Sequence, residues 1–257
     1  MIGGPLQPPA SSVGMPVTRP GPDARTFGAM LEKTPVTQAA ARKLQDMIRD
    51  GELAPGSRIP SQRVLSERLG VSRPSLREAL LTLETLGLVR TLPARGTFVV
   101  DRTDAPAAGA WRFDAAYDLT DVFAARLFLE SELARRAAEV VDAATLARLD
   151  DALDRFERSW NDGDLVTHVE ADLTFHRTIA EACPNPMIRG FYCSVEAILT
   201  ESQRQPIPST ARDRMRRSID EHREILAALR GGDGDAAAAA MRTHVHNTAA
   251  SAGIDLE

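Results

Sequence analysis

Five histidines occur in the 257 residues, and three of them fall on faces that a helix would bury. In a helix read over 164–182, Asp172 and His176 stand one turn apart, on the side of the apolar stripe Leu165, Val169, Leu173 and Ile179. His222 lies between Met215, Ile219 and Leu226 in a helix read over 210–230. His244 follows Met241 by three in a helix read over 234–250. Burying four such groups costs roughly several kcal/mol unless something satisfies them. Three imidazoles and a carboxylate converging from three helices suit a divalent transition ion. Singly, each is more simply a hydrogen-bonded core histidine; four together weigh against that. Of the remaining histidines, His246 is two past His244 and faces nearly the opposite way. His168 sits one turn before Asp172 towards the stripe's edge, and reads as a surface residue or one that supports the four. Arg126 is also misplaced by spacing, among Leu119, Val122, Phe123, Leu129, Leu133, Ala137 and Val140. A buried guanidinium needs anionic partners, and either Glu130 one turn on or a bound carboxylate would serve.

These residues require a helical frame. From 119 onward Ala, Leu, Arg, Glu and Asp dominate, and helices are read over 119–140, 143–162, 164–182, 187–204, 210–230 and 234–250. Asp142, Asn161-Asp-Gly163, Pro184-Asn-Pro186, Pro206–Pro208 and Gly231-Gly-Asp-Gly234 separate them. Short connections between helices of similar length predict an all-α antiparallel bundle of about six helices. Residues 102–116 form a linker by composition, and residues 1–34, rich in Pro, Gly, Ser and Thr, a disordered tail. Met15 and Met30 are alternative starts to Met1.

The stretch 35–101 has a different plan. A first helix over 35–50 buries Val36, Ala40, Leu44, Met47 and Ile48. A short helix over 61–69 carries Val64, Leu65 and Leu69 and stops at Gly70. Ser72 then stands at an N-cap position with Pro74 in the following turn, and the next helix buries Leu76, Ala79, Leu80, Leu83 and Leu86. Strands 88–92 and 97–100 pair across a loop with Arg95 at its tip. Two helices about a tight turn, the second opening on Ser72, Arg73, Ser75 and Arg77, are the plan of a DNA-reading helix-turn-helix with a hairpin wing. Arginine forks hold guanine edges or phosphates, and helix-start amides and serine hydroxyls anchor phosphates.

The string G-x-L-x-P-G-S-R-I-P-S-x-R-x-L-S-x-x-L-G-V-S-R-x-x-L-R-E-A-L, continuing to Val89, and the ending Arg95-Gly-Thr-Phe-Val99 closely resemble the winged-helix domain of the GntR family of bacterial transcription regulators. The resemblance implies DNA contacts from an arginine before the first motif helix (Arg63), from Ser72, Arg73, Ser75 and Arg77, and from Arg95 and Gly96 at the wing. Pro74 replaces a threonine that contacts DNA in FadR, so that contact is not carried over. Asp172-x3-His176, then Asn185-Pro186, Glu221-His222 and His244 resemble the FCD effector domain of FadR-type members, in its metal-binding branch. That implies a divalent ion on Asp172, His176, His222 and His244, zinc first and nickel or manganese as alternatives. It also implies a small carboxylate effector with Arg126 lining its cavity, and a homodimer on a palindromic double-stranded DNA operator. The fold class expected is therefore mainly α: an N-terminal winged helix-turn-helix over 35–101, and an FCD-type effector-binding and dimerisation bundle over 117–257.

Charge supports this division. The net charge of −5 conceals a split, with eleven Lys/Arg against seven Asp/Glu over 35–102 and a balance of −10 over 103–257. A basic module joined to an acidic one suggests nucleic acid at one end and another task at the other. Two cysteines exclude a disulfide framework, and no apolar run approaches a membrane span, so a cytoplasmic setting is expected. A ligand-responsive regulator, repressor rather than activator, is the leading reading. A metal-dependent enzyme is the alternative, but no general base stands beside the four ligands: Glu221 adjoins His222, and adjacent helical residues face different ways. A purely architectural DNA-binding protein leaves the inward Asp, His and Arg residues unexplained.

Overall fold

The computed structural model describes residues 35–101, 116–207 and 210–256. The tail at 1–34, with its alternative starts, and all but the last residue of the linker at 102–116 lie outside the described residues. The N-terminal module consists of α1 (Pro35–Arg49), α2 (Gln62–Leu69), α3 (Arg73–Thr85) and the strands β1 (Val89–Leu92) and β2 (Gly96–Val99). Six helices follow: α4 (Leu119–Ala138), α5 (Ala143–Asp162), α6 (Leu165–Ala182), α7 (Pro186–Arg204), α8 (Arg212–Arg230) and α9 (Gly234–Ser251).

Local chemistry sets the helix ends. Ser61 and Ser72 cap α2 and α3 by accepting from the amides of Val64 and Ser75. Asp118, Asp142, Asp164, Asn185 and Asp233 do the same for α4, α5, α6, α7 and α9. Gly70 ends α2 in the left-handed conformation, at φ 68°. The hairpin pairs Val89 with Val99 and Leu92 with Gly96, and Arg58 bridges to Phe98 on its free side. Glu84 of α3 accepts from the Thr91 amide at 2.6 Å and from its hydroxyl at 3.1 Å, fastening the wing to α3.

Leu44, Leu65, Leu76, Leu83 and Leu86 form the core of the N-terminal module. Phe123, Leu149, Phe156, Phe175, Ile225 and Leu229 form that of the bundle. Several expected core positions differ. Val36 and Val64 are exposed, because the buried faces of α1 and α2 pass through Thr37, Ala40 and Leu44 and through Leu65 and Ser66 instead. Val140 is exposed because α4 ends at Ala138. Val169, read as part of the bundle stripe, packs with Val166 into the core of the N-terminal module, and Leu165 and Leu173 flank them. The stripe on α6 is thus two stripes, one for each module.

That contact carries polar pairs. Gln45 of α1 donates to the capping carboxylate of Asp164 at 2.6 Å and accepts from the Val166 amide at 3.0 Å, so one side chain completes the start of α6. Arg42 pairs with Glu170. Near the end of α3, Thr85 donates to Glu201 of α7 at 3.0 Å.

Gly96 has φ 105°, and a Cβ there would stand 2.7 Å from Nε of Arg58. Gly96→Ala is therefore expected to destabilise the N-terminal module by about 1–3 kcal/mol, read as a lower urea midpoint for its unfolding.

Candidate metal centre and nucleic-acid interface

Helix α6 brings Asp172 and His176, α8 brings His222 and α9 brings His244 to one point in the bundle. One donor atom from each lies within 4.8 Å of all the others. The three imidazoles are buried, and Phe156 and Phe175 pack against the His222 ring, so the centre is polar within an apolar wall.

Every ring is engaged on its Nδ1 side. Nδ1 of His222 lies 2.7 Å from the Ser218 carbonyl oxygen, and Nδ1 of His244 lies 3.0 Å from Oε2 of Glu221. Nδ1 of His176 stands 2.9 Å from Oε2 of Glu130, though out of line for a hydrogen bond. An acceptor facing Nδ1 orients the His222 and His244 rings with Nε2 towards the centre, where it would bind an ion once it carries no proton. Nε2 of His222 lies 3.1 Å from Oδ1 of Asp172, while Nε2 of His176, at 3.8 Å from the same atom, is buried without a hydrogen-bond partner. Three nitrogens and one oxygen with this support form the donor set that a divalent transition ion takes.

The Arg126–Glu130 pair offered by the spacing is present, whereas helical spacing does not place Glu221. Glu221 is not directed away from the centre: it reaches from α8 to His244 on the next helix. There it is held by both terminal nitrogens of Arg214 at 3.1 Å and by Asn247 at 2.7 Å. Glu130 joins Arg126 to His176, accepting from Nε of Arg126 at 2.9 Å. Arg126 is 0% exposed, lies over the Phe123 ring, and its Nη1 has no partner. His168 is likewise fully buried rather than on the surface, stacked on Phe156 with ring centroids 4.0 Å apart. His246 is exposed, as its spacing required.

Electrostatics follow the geometry. Burial alone would raise Glu130, but Arg126 and His176 beside it bring it down to about 2. Asp172 is raised by burial yet held well below the usual carboxylate range by His222 and His176. Burial works against protonation of His176, but Glu130 outweighs it and raises the pKa. Burial pushes His244 well below an ordinary histidine, with His222 and His176 adding to the effect, and burial brings His168 down to about 4.

A cleft of about 420 Å³, part of it open to solvent, reaches the centre with Asp172 and His244 on its wall. The guanidinium on that wall belongs to Arg214; Arg126, expected to line the cavity, stands behind His176 and Glu130.

At the other end, Ser72, Arg73 and Arg77 are exposed at the start of α3, and Ser75 is half-buried with its hydroxyl 2.8 Å from that of Ser72. Arg63 falls in the first turn of α2, not before it, and pairs with Glu67 at 3.0 Å. Arg95 is exposed at the wing tip, 5.9 Å from the Phe98 ring. Gly96 has a conformational role that its place in the motif did not reveal: it lets the hairpin turn beneath Arg58.

A winged helix-turn-helix followed by a six-helix bundle with a buried His/Asp centre defines a transcription regulator with an effector domain. The comparisons agree. Residues 36–99 match the "Bacterial regulatory proteins, gntR family" and residues 121–247 match the "FCD domain". The chain is similar to the HTH-type transcriptional regulator LutR of Bacillus subtilis (strain 168), 32% identical over 208 residues covering 78% of this chain and 94% of the relative. It is also similar to the HTH-type transcriptional repressor NanR of Enterobacter sp. (strain 638), at 28% identity over 88% of this chain and 90% of the relative. A solved structure of a putative transcriptional regulator GntR from Rhodococcus sp. RHA1 is 27% identical, covering 86% of this chain and 99% of that one, with a TM-score of 0.48. The chain belongs to the GntR family of bacterial regulators, in the FadR-like branch that carries an FCD domain. It is a transcription regulator and not an enzyme.

His168 and His244 are held neutral by burial, so each contributes stability that is present above the unfolded histidine pKa and lost as pH falls. The depressed carboxylates Glu130 and Asp172 extend the loss to lower pH, whereas His176, being raised, acts in the opposite sense and loses its contribution as pH rises. Metal-free protein should lose thermal stability between about pH 6.5 and 4. In His168→Phe that decline should be visibly flatter, as followed by melting temperature against pH.

Proposed function

We propose that this regulator is a metal-containing, ligand-responsive repressor. It acts in the cytoplasm as a homodimer on a palindromic operator, with residues 102–116 linking its DNA-binding and effector halves. The supporting observation is the convergence of four donor atoms within 4.8 Å on a helix whose other face packs against the DNA-binding module. Asp172, His176, His222 and His244 would hold one divalent ion, zinc first, with nickel or manganese as alternatives. Such an ion would supply a Lewis-acidic point of attachment for a small carboxylate entering by the cleft. Arg214 on the cleft wall and Arg126 behind Glu130 would add positive charge for the anion.

The route to DNA runs through α6 and α7. Asp172 and His176 lie on the bundle side of α6, and Gln45 and Arg42 grip the other side. A ligand changes operator affinity only by as much as it binds one arrangement of these contacts better than another. Gln45→Ala should therefore reduce the effector response while operator binding by effector-free protein persists, measured by fluorescence anisotropy with and without effector.

On DNA, Ser72, Arg73, Ser75 and Arg77 would meet base edges and phosphates in the major groove, with Arg63 on the backbone and Arg95 and Gly96 at the wing. Arg73→Ala and Arg77→Ala should each cost about 1–3 kcal/mol of operator affinity. Arg95→Ala should lower the salt slope if the side chain neutralises a phosphate. Unchanged affinity in both helix variants would overturn the DNA assignment. His222→Ala and His244→Ala should lose the metal by elemental analysis while still binding operator. Wild-type protein that neither retains a divalent ion on purification nor takes one up on titration would overturn the metal reading.

A further inference from the structure

The DNA-binding module meets the bundle in two different ways. At the first contact, Val166 and Val169 of α6 join the module's own core, and Gln45 and Arg42 of α1 bond to Asp164, the Val166 amide and Glu170 beside them. All of these partners lie along one stretch of α6. Such a contact holds the module close but leaves it free to swing about that helix.

The second contact removes that freedom. The hydroxyl of Thr85, the last residue of α3, stands 3.0 Å from Oε1 of Glu201 on α7, sharing its proton with the Leu81 carbonyl at 3.0 Å. Oε2 of Glu201 accepts from Nη1 of Arg204 at 3.2 Å. All three side chains are buried, within a run over 201–206 that is buried without a break. A buried ion pair adds little net stability, but it does fix one relative placement of the elements that carry it. A cavity of about 290 Å³, partly open to solvent, separates Thr37, Gln38 and Thr82 of the module from Glu170 and Arg204 of the bundle. It leaves room for α3 to tilt once the second contact is released.

A small tilt matters at the DNA. Helix α3 has 13 residues, with Thr85 at one end and Arg73 and Arg77 at the other. At about 18 Å long, a change of about 10° in its tilt shifts one end relative to the other by about 3 Å. That is roughly the rise of one base pair.

We propose that Glu201, backed by Arg204, is a specificity-determining residue for DNA: it fixes the tilt of α3 and so sets the half-site spacing that a dimer accepts. This rests on the homodimer and palindromic operator proposed above. Both half-sites are held together only where the spacing fits, and the gain from bivalent binding is lost where it does not. One inserted base pair displaces the far half-site by about 3.4 Å and turns it by about 35° about the DNA axis. A module held at both contacts cannot follow that change, whereas one held at α6 alone can swing after it.

The test is selection of binding sites from a random-sequence duplex library by full-length protein. Wild type should return an inverted repeat of one spacing. Thr85→Val, which removes only the hydroxyl, and the double variant Glu201→Met with Arg204→Met, which replaces the pair by apolar groups, should return the same half-site at several spacings. By fluorescence anisotropy, one inserted base pair should weaken wild type by about tenfold or more and the variants by no more than about threefold. Broadened spacing in either variant, at an unchanged half-site, supports the proposal, and Thr85→Val decides alone if the double variant fails to fold. Variants that keep the single wild-type spacing, or a wild type that itself accepts several, would overturn it and leave the dimer reading intact. A wild type that selects only single, unrepeated half-sites would overturn the dimer reading and the proposal with it.

Discussion

The pairing of buried carboxylates with imidazoles at the centre of the bundle is the constraint that the other contacts accommodate. Glu130 on α4 meets His176 on α6, Asp172 on α6 meets His222 on α8, and Glu221 on α8 meets His244 on α9. Taking these groups out of water is unfavourable, and removing one partner from such a pair costs about 3–5 kcal/mol, because a charge is left alone in a poor solvent. The network therefore fixes the relative register of four helices more sharply than apolar contact can. Phe123, Phe156, Phe175 and Leu149 supply the apolar mass around it, and Arg126 neutralises the one carboxylate that no cleft residue reaches.

Helix α6 joins that centre to the DNA-binding module. Both its faces are occupied. Ala171, Phe175 and Ile179 belong to the bundle core, while Val166 and Val169 belong to the core of the DNA-binding module. Gln45 bonds both the cap and the first amide of the helix, so a displacement of α6 is felt directly by α1. The second connection, from Glu201 to Thr85, ends near the C-terminus of α3, whose other end carries Arg73 and Arg77. These polar contacts, with the Arg42–Glu170 pair, flank the apolar packing of Val166 and Val169 against the DNA-binding module.

The imidazole orientations show how much a site depends on its supporting groups. Four residues of the right type are insufficient if the rings can rotate. Here a carbonyl or carboxylate faces each Nδ1, and the opposite nitrogen is thereby presented to the centre. Arg214 contributes through Glu221 as well as by facing the cleft, so charge on the cleft wall and orientation of His244 are linked.

The sequence by itself determined the helices, their capped ends and the inward faces on which the four candidate ligands stand, because those depend on neighbours within about one turn; that the three helices bring them to one point is a tertiary contact. Caps such as Ser72 and Asp142 bond amides two or three residues on, and apolar spacing places His222 among Met215, Ile219 and Leu226 whatever the helix packs against. The winged-helix motif was legible for the same reason: its turn glycine, its capping serine and its basic helix start are local. Only the tertiary structure decided which partner each face receives. Leu165, Val169 and Leu173 looked like one stripe with Asp172 and His176, but on α6 the apolar surface is wide enough to serve two cores, and nothing local divides it. Glu221 could not be placed by helical spacing, since it acts across to α9 rather than along its own helix. His168 owes its burial to Phe156 and Trp160 on α5, which reach it only once two helices have docked. Contacts between segments distant in the chain are chosen by the shape and charge of the whole assembly, and no periodicity along one helix encodes them.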